Sequence, residues 1–282
     1  MMKSILNHKT TWGLLLLTLP LSCPTLSAQT DETLDAELAG RISIGIDKKI
    51  AKGVHASLKE ELRLDDNFSG FNRLQTTATI AYKAASFLKI GIGYALINPY
   101  EDKTSHFKDA RHRLMADATG TYRIGNCTLS LKERIQLTHR TGDFNQYQNP
   151  RNALTLKSRL MLKYKATRQL TPYGYVELRH YLNAPAITAA YDGDKYLTPD
   201  GDSNGTPGWF LSGFDSAYLN RMRGSVGIEY SLTKCHSINL AILADFVSDK
   251  VVDANGSGTK LKAYTHQTGF KGWMRAGYEY AF

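Results

Sequence analysis

Arg73-Leu74-Gln75-Thr76-Thr77-Ala78-Thr79-Ile80-Ala81-Tyr82-Lys83 is followed, four residues on, by Leu88-Lys89-Ile90-Gly91-Ile92-Gly93-Tyr94-Ala95-Leu96. In both stretches the large apolar side chains fall on even positions, and the odd positions are polar, charged or small. A period of two belongs to a strand whose faces meet different surroundings. The pattern repeats upstream, where Ile42, Ile44 and Ile46 alternate with Arg41, Ser43, Gly45 and Asp47.

Working outward, eleven such segments follow one another: 38–47, 54–65, 72–84, 87–98, 110–123, 127–140, 153–164, 172–182, 220–231, 237–248 and 266–282. Most are longer than the roughly 5–6 residues usual in soluble sheets. They match the ~9–11 that a tilted strand needs to cross a bilayer. Short connections (47–53, 84–86, 124–126, 165–171 and 231–236) alternate with longer polar ones (66–71, 99–109, 141–152, 183–219 and 249–265). Short turns at one end and long loops at the other are the asymmetry of an up-and-down membrane barrel. The expected fold is therefore all-β, a transmembrane antiparallel barrel. Even parity predicts twelve strands, with ten as the alternative. The acidic segment 29–37 would supply the twelfth strand or lie inside the lumen.

Lys3 and Lys9 precede the apolar run Trp12 to Leu19, which Pro20 ends, and Ser27-Ala28 follow. This reads as a cleaved secretory leader over residues 1–28, since the run is too short to span a bilayer as a helix. Cys23 suggests a lipoprotein alternative, but Pro20-Leu21-Ser22 suits lipidation poorly. The barrel would then occupy 38–282. The hydrophobic fraction of 42% does not separate a soluble protein from a barrel, because only alternate barrel residues face lipid. Two positive charges of the formal +9 leave with the leader, and the rest stays basic. Export and the lack of any nucleic-acid motif argue against nucleic acid as a partner. Cys127 and Cys235, both near short turns, are expected to be free thiols.

Tyr82, Tyr122, Tyr164 and Tyr230 each close a strand just before a short turn, and Tyr280 does so near the C-terminus. Tyrosine suits a membrane interface because its ring is apolar and its hydroxyl wet. With Tyr278 and Phe282 these residues form the expected girdle and, in the last strand, an assembly signal for the barrel-insertion machinery of a bacterial outer membrane.

Leu58-Lys59-Glu60-Glu61-Leu62-Arg63, Leu170-Thr171-Pro172-Tyr173-Gly174-Tyr175-Val176-Glu177-Leu178 and Asn220-Arg221-Met222-Arg223 resemble the domain of unknown function 2490 family. So do Gly227-Ile228-Glu229-Tyr230-Ser231-Leu232-Thr233-Lys234 and the Tyr-x-Tyr-x-Phe ending. The resemblance implies an outer-membrane barrel and brings no activity with it. The connection at 183–219 is longer than that family leads one to expect.

With the apolar faces toward lipid, the opposite faces line the lumen. They carry Arg73, Arg111, Arg113, Lys132, Arg134, Lys157, Arg159, Arg179, Arg221, Arg223 and Arg275. Glu61, Asp117, Glu177, Glu229 and Glu279 are the acidic partners expected on the same faces. Charges of one sign inside low-dielectric walls concentrate counter-ions, and arginine pairs well with carboxylate and phosphate. The reading is a passive pore or conduit for small anionic solutes such as acidic sugars or organic acids. The alternatives are a closed barrel acting through its long outer loops, and an outer-membrane lipid-modifying enzyme using His139 or His180 with a loop acid such as Asp143. An enzyme is not the expectation. Glu60 and Glu133 fall on lipid-facing parity, so a bulge is expected at each. Asp200-Gly201-Asp202-Ser203-Asn204-Gly205 imitates the front of a calcium loop, but Leu211 stands where a bidentate Glu belongs. No metal and no cofactor are expected.

Overall fold

The computed structural model describes residues 30–101, 104–142, 144–145, 148–192, 195–196, 208–254 and 261–282. The leader, Asp143 and the run 200–205 lie outside the described residues. Thirteen strands account for nearly all the regular structure. They are β1 (Thr30–Ala51), β2 (Val54–Asp65), β3 (Gly70–Lys83), β4 (Leu88–Glu101), β5 (His106–Phe107), β6 (Arg111–Ile124) and β7 (Cys127–Arg140). Then come β8 (Asn152–Tyr164), β9 (Leu170–Asp192), β10 (Lys195–Tyr196), β11 (Gly208–Ser231), β12 (His236–Ala254) and β13 (Leu261–Ala281). The two-residue strands β5 and β10 only extend β4 and β9.

The other eleven close into a barrel, each pairing with its neighbour in sequence, and β13 returns to β1. The count is eleven, not twelve or ten. The parity argument fails because the closing pair is parallel: Ile42 lies opposite Ala276, Ile44 opposite Tyr278 and Ile46 opposite Tyr280. All other pairs along the wall are antiparallel. The segment 29–37 supplies no extra strand and no plug. From Thr30 onward it is the start of β1, laid along β13 with one register shift between Leu34 and Glu37. The connections at 183–219 and 249–265 also shrink, because β9, β11, β12 and β13 run far into them. Strands β9, β11, β12, β13 and β1 have 19 to 24 residues, whereas β2, β3, β4, β6, β7 and β8 have 12 to 14. One side of the wall therefore rises well above the other at the long-loop end.

The alternation read from the sequence holds around the ring. Ile44, Ile80, Ile92, Leu114, Leu160, Val226, Ile242 and Met274 are exposed on the outside. Ala39, Tyr173, Tyr175, Ala241, Leu243 and Trp273 pack together within. Tyr82, Tyr122, Tyr164, Tyr230, Tyr278 and Phe282 lie exposed on the outer face toward the short-turn end. Tyr280 stacks on Phe282 at 5.3 Å between ring centroids. Short turns need a left-handed residue, supplied by Gly53 (φ 75) and Gly125 (φ 55).

The connection between β2 and β3 does the same with ordinary residues. Asp66, Asn67 and Phe68 all have positive φ, a strain of roughly 1–3 kcal/mol each. Contacts with β1 offset it. The Asp66 amide donates to Glu37 Oε1 at 2.6 Å, and Asn67 Oδ1 accepts from the Leu38 amide at 3.2 Å. The Phe68 ring fills the space over Gly40, where a Cβ would come within 2.8 Å of it. Lys271 Nζ on β13 reaches Glu37 at 2.8 Å and Asp65 at 2.9 Å, tying three strands at the closing seam.

No bulge relieves Glu60 or Glu133. The ladders run unbroken through both, and both remain on the outer face. Glu133 accepts a hydrogen bond from Ser158 at 2.6 Å, whereas Glu60 Oε2 is buried with no partner.

Parallel closure places Ser43 opposite Gly277. In a chain with Cys127 and Cys235 changed to serine, S43C and G277C should form an intramolecular disulfide on mild oxidation of the refolded barrel. An antiparallel closure would leave that pair unlinked on a non-reducing gel.

Candidate functional site

The lumen wall is organised in tiers, rows of residues facing each other across neighbouring strands, which climb around the barrel because its strands tilt. At mid-barrel, Lys132 faces Arg159, Arg159 faces Glu177, Glu177 faces Arg223, Arg223 faces Asp245 and Asp245 faces Lys271. From Arg159 onward the signs alternate, and the pairs are made. Arg159 Nε donates to Glu177 at 2.9 Å, and Arg223 grips Asp245 through Nε and Nη2, both at 2.5 Å. Trp273 Nε1 donates to the same carboxylate at 3.0 Å. Arg221 adds weaker contacts to Glu177 at 3.4 Å and to Asp245 at 3.8 Å. Asp245 and Glu177 are only 2% and 3% exposed. In this middle tier both carboxylates are buried and answered by arginines.

Two residues nearer the long-loop end, the alternation stops. Lys157 faces Arg179 and Arg179 faces Arg221. Across the closing seam a second like-charged row, on the short-turn side of Lys271 in β13, runs from Arg275 to Arg41, Arg63 and Arg73. Arg111 faces Arg140. Like charges directly opposite one another destabilise a sheet by about 0.2–1 kcal/mol per pair. The acids here do not match the cations. Glu61 takes Arg63 at 2.5 Å and Lys59 at 3.4 Å. Arg113 instead donates to Thr138 at 2.9 Å, Arg179 to Asn220, and Arg275 to the Tyr173 hydroxyl at 2.5 Å. The Arg41 guanidinium lies over the Trp273 ring at 4.0 Å. Buried nitrogens without a hydrogen-bond partner remain on Arg41, Arg73, Arg140, Arg221 and Arg275. An unmet guanidinium N–H in such a place is a donor waiting for an acceptor.

On the short-turn side of the middle tier the lumen opens into a cavity of about 260 Å3, with Lys89, Asp117, Lys132, Arg134 and Arg159 in its lining. Asp117 pairs there with Arg134 at 2.8 Å and Lys132 at 3.2 Å. Lys163 meets Glu229 at 2.7 Å, reaching across β9. Glu279, in β13, shares the lumen parity of Arg275 and is exposed toward the short-turn end. At the other mouth Gln148 donates to Asp253 at 2.8 Å, so the connection between β7 and β8 reaches β12, with β9 and β11 between them along the wall.

All the basic and acidic positions expected from parity therefore lie on the lumen side, but in separate layers. Arg41 and Lys271 belong to the same layers and follow from the same parity. The stacked pair Tyr181 and Tyr218 gave no sequence signal, since only strand register brings them face to face. His139 and His180 lie on the outer face. His139 Nδ1 is 2.8 Å from Asn152 Oδ1, and His180 Nδ1 is buried without a partner. Thr141, on the parity of His139, donates its hydroxyl to the Ala110 carbonyl at 2.7 Å.

A family model described as "Protein of unknown function (DUF2490)" matches residues 42–193, from within β1 to the end of β9. The chain belongs to the DUF2490 family. Of the cationic tier, this DUF2490 barrel draws Arg63, Arg73, Arg111, Arg113, Arg140, Lys157 and Arg179 from inside the matched span, and Arg41, Arg221 and Arg275 from outside it. No curated protein matches the chain. Among solved structures it is similar to the outer-membrane expressed OmpT of Vibrio cholerae, at 10% identity and a TM-score of 0.34, over 76% of this chain. The chain spans 60% of that protein.

Removing one member of a buried pair leaves an uncompensated charge. Asp245→Asn should cost about 3–5 kcal/mol of unfolding free energy, measured by urea titration in detergent. The double replacement Arg223→Met with Asp245→Leu should recover most of the loss.

Proposed function

We propose that the barrel sits in a bacterial outer membrane and serves as a conduit for small anionic solutes. Short turns would face the periplasm and the tall wall the exterior. The apolar outer face and its tyrosine girdle support that placement, and the aromatic C-terminal strand is the segment the assembly machinery would engage. The observation that carries the solute class is the like-charged rows of the lumen, with unpartnered nitrogens on Arg73, Arg140 and Arg221 toward the long-loop end. Their field draws anions inward, and their planar donors suit carboxylate or phosphate oxygens. Below the outer row the middle tier holds the passage shut at rest. An anion bound above competes for Arg221, which reaches Glu177 and Asp245 from the outer row and shares both carboxylates with Arg223. Loosening their grip on Glu177 and Asp245 opens the way to the inner cavity.

Purified mature protein refolded into planar bilayers tests this reading. The expected result is a current that favours chloride over potassium. Arg111→Gln with Arg113→Gln should lower that preference severalfold. Cation preference, or a selectivity that ignores both replacements, would overturn the proposal.

A further inference from the structure

The cationic tier does not end in bare charge at its outer rim. The lumen face of β9 reads Tyr173, Tyr175, Glu177, Arg179, Tyr181 from the short-turn end to the mouth. At the mouth Tyr181 lies directly opposite Tyr218 of β11, with ring planes 10° apart and centroids 6.1 Å apart. Lys250 clasps Tyr218 from β12, its ammonium 5.1 Å from the ring centroid and its amide donating to the phenolic oxygen at 3.2 Å. Arg111 and Arg113 stand near enough to Tyr181 to interact with it electrostatically. Arg179 lies two residues along the strand on the same face. Below the middle tier the arrangement recurs. Tyr173 and Tyr175 are parallel within 5°, Arg159 covers Tyr175 at 4.5 Å, and Arg275 donates to Tyr173.

A small dicarboxylate would need only the guanidinium groups. Flat, parallel aromatic rings held beside them suit a ligand with two kinds of surface. One is a face of weakly polarised C–H groups that lies on the negative π-cloud, and the other is an edge carrying carboxylate for the arginine fork. A hexose ring oxidised at C6 has both. We infer that the ligand of the outer mouth is an acidic saccharide. Tyr181, backed by the stacked Tyr218 ring, is the platform under one sugar ring, and Arg111, Arg113 and Arg179 receive its carboxylate. This inference rests on the conduit reading and narrows its solute.

Block of chloride current in the refolded barrel is the test, with trigalacturonate, its methyl ester and succinate as probes. Trigalacturonate should block at a concentration at least about tenfold below either of the others. Tyr181→Ala and Tyr218→Ala should each raise that concentration about tenfold without changing chloride over potassium selectivity. Tyr181→Phe should behave as the parent, which separates loss of the ring from loss of folding. Retained anion selectivity with equal block by succinate and trigalacturonate would overturn the inference alone. Absence of anion selectivity in the parent barrel would overturn the conduit reading and this inference with it.

Discussion

A sheet that curls back on itself has no edge, and in hydrocarbon that condition admits no exceptions, since an unpaired backbone N–H or C=O there costs several kcal/mol. Everything else in this protein is arranged around meeting it with eleven strands. Closure forces one parallel contact, between β1 and β13. Parallel pairs are slightly less stable per residue than antiparallel ones, and here the seam is reinforced from within. Lys271 bridges Glu37 and Asp65, Trp273 packs under Arg41, and the left-handed turn at Asp66–Phe68 leans on β1. The strain of that turn is confined to the place where the barrel needs an extra hold.

Closure also fixes which side chains meet. Once the register is set, the lumen becomes a stack of slanting rings, and the sign of each ring follows from which residues face each other across the strands. In the alternating ring at Arg159, Glu177, Arg223 and Asp245 each buried carboxylate is answered by an arginine. The next ring outward has almost no acid to answer its arginines. One wall therefore carries both an alternating row and a like-charged row, separated by a single repeat of the strand.

Much of this was legible in the residues. The period of two around Ile42, Leu74 and Leu88 finds all eleven wall strands, places the shorter ones within a few residues, and puts Arg73, Lys157 and Arg179 on the face opposite the apolar one. Its failures have physical causes. Parity seemed to demand a twelfth strand because the sequence does not reveal the direction of the closing pair. Segment 29–37 looked unfit for a lipid-facing strand, but it lies at the long-loop end of β1, at the level of the connections. The glutamates at 60 and 133 seemed to require bulges, yet Ser158 answers one of them directly across the ladder. Heights were the deepest blind spot. Parity says which wall a residue joins, and only register says which residues it faces, so the separation into tiers and the meeting of Tyr181 with Tyr218 were beyond reach.

The ladder Lys157, Arg179, Arg221 has one more consequence. Its members repel each other, and the backbone hydrogen bonds of three strands keep them adjacent regardless. Folding thus loads the bore like a compressed spring, and any counter-charge that enters discharges it. Part of such a guest's affinity would originate in the stiffness of the wall rather than in the contacts it makes, and the barrel would grip most firmly where it is least content to stand empty.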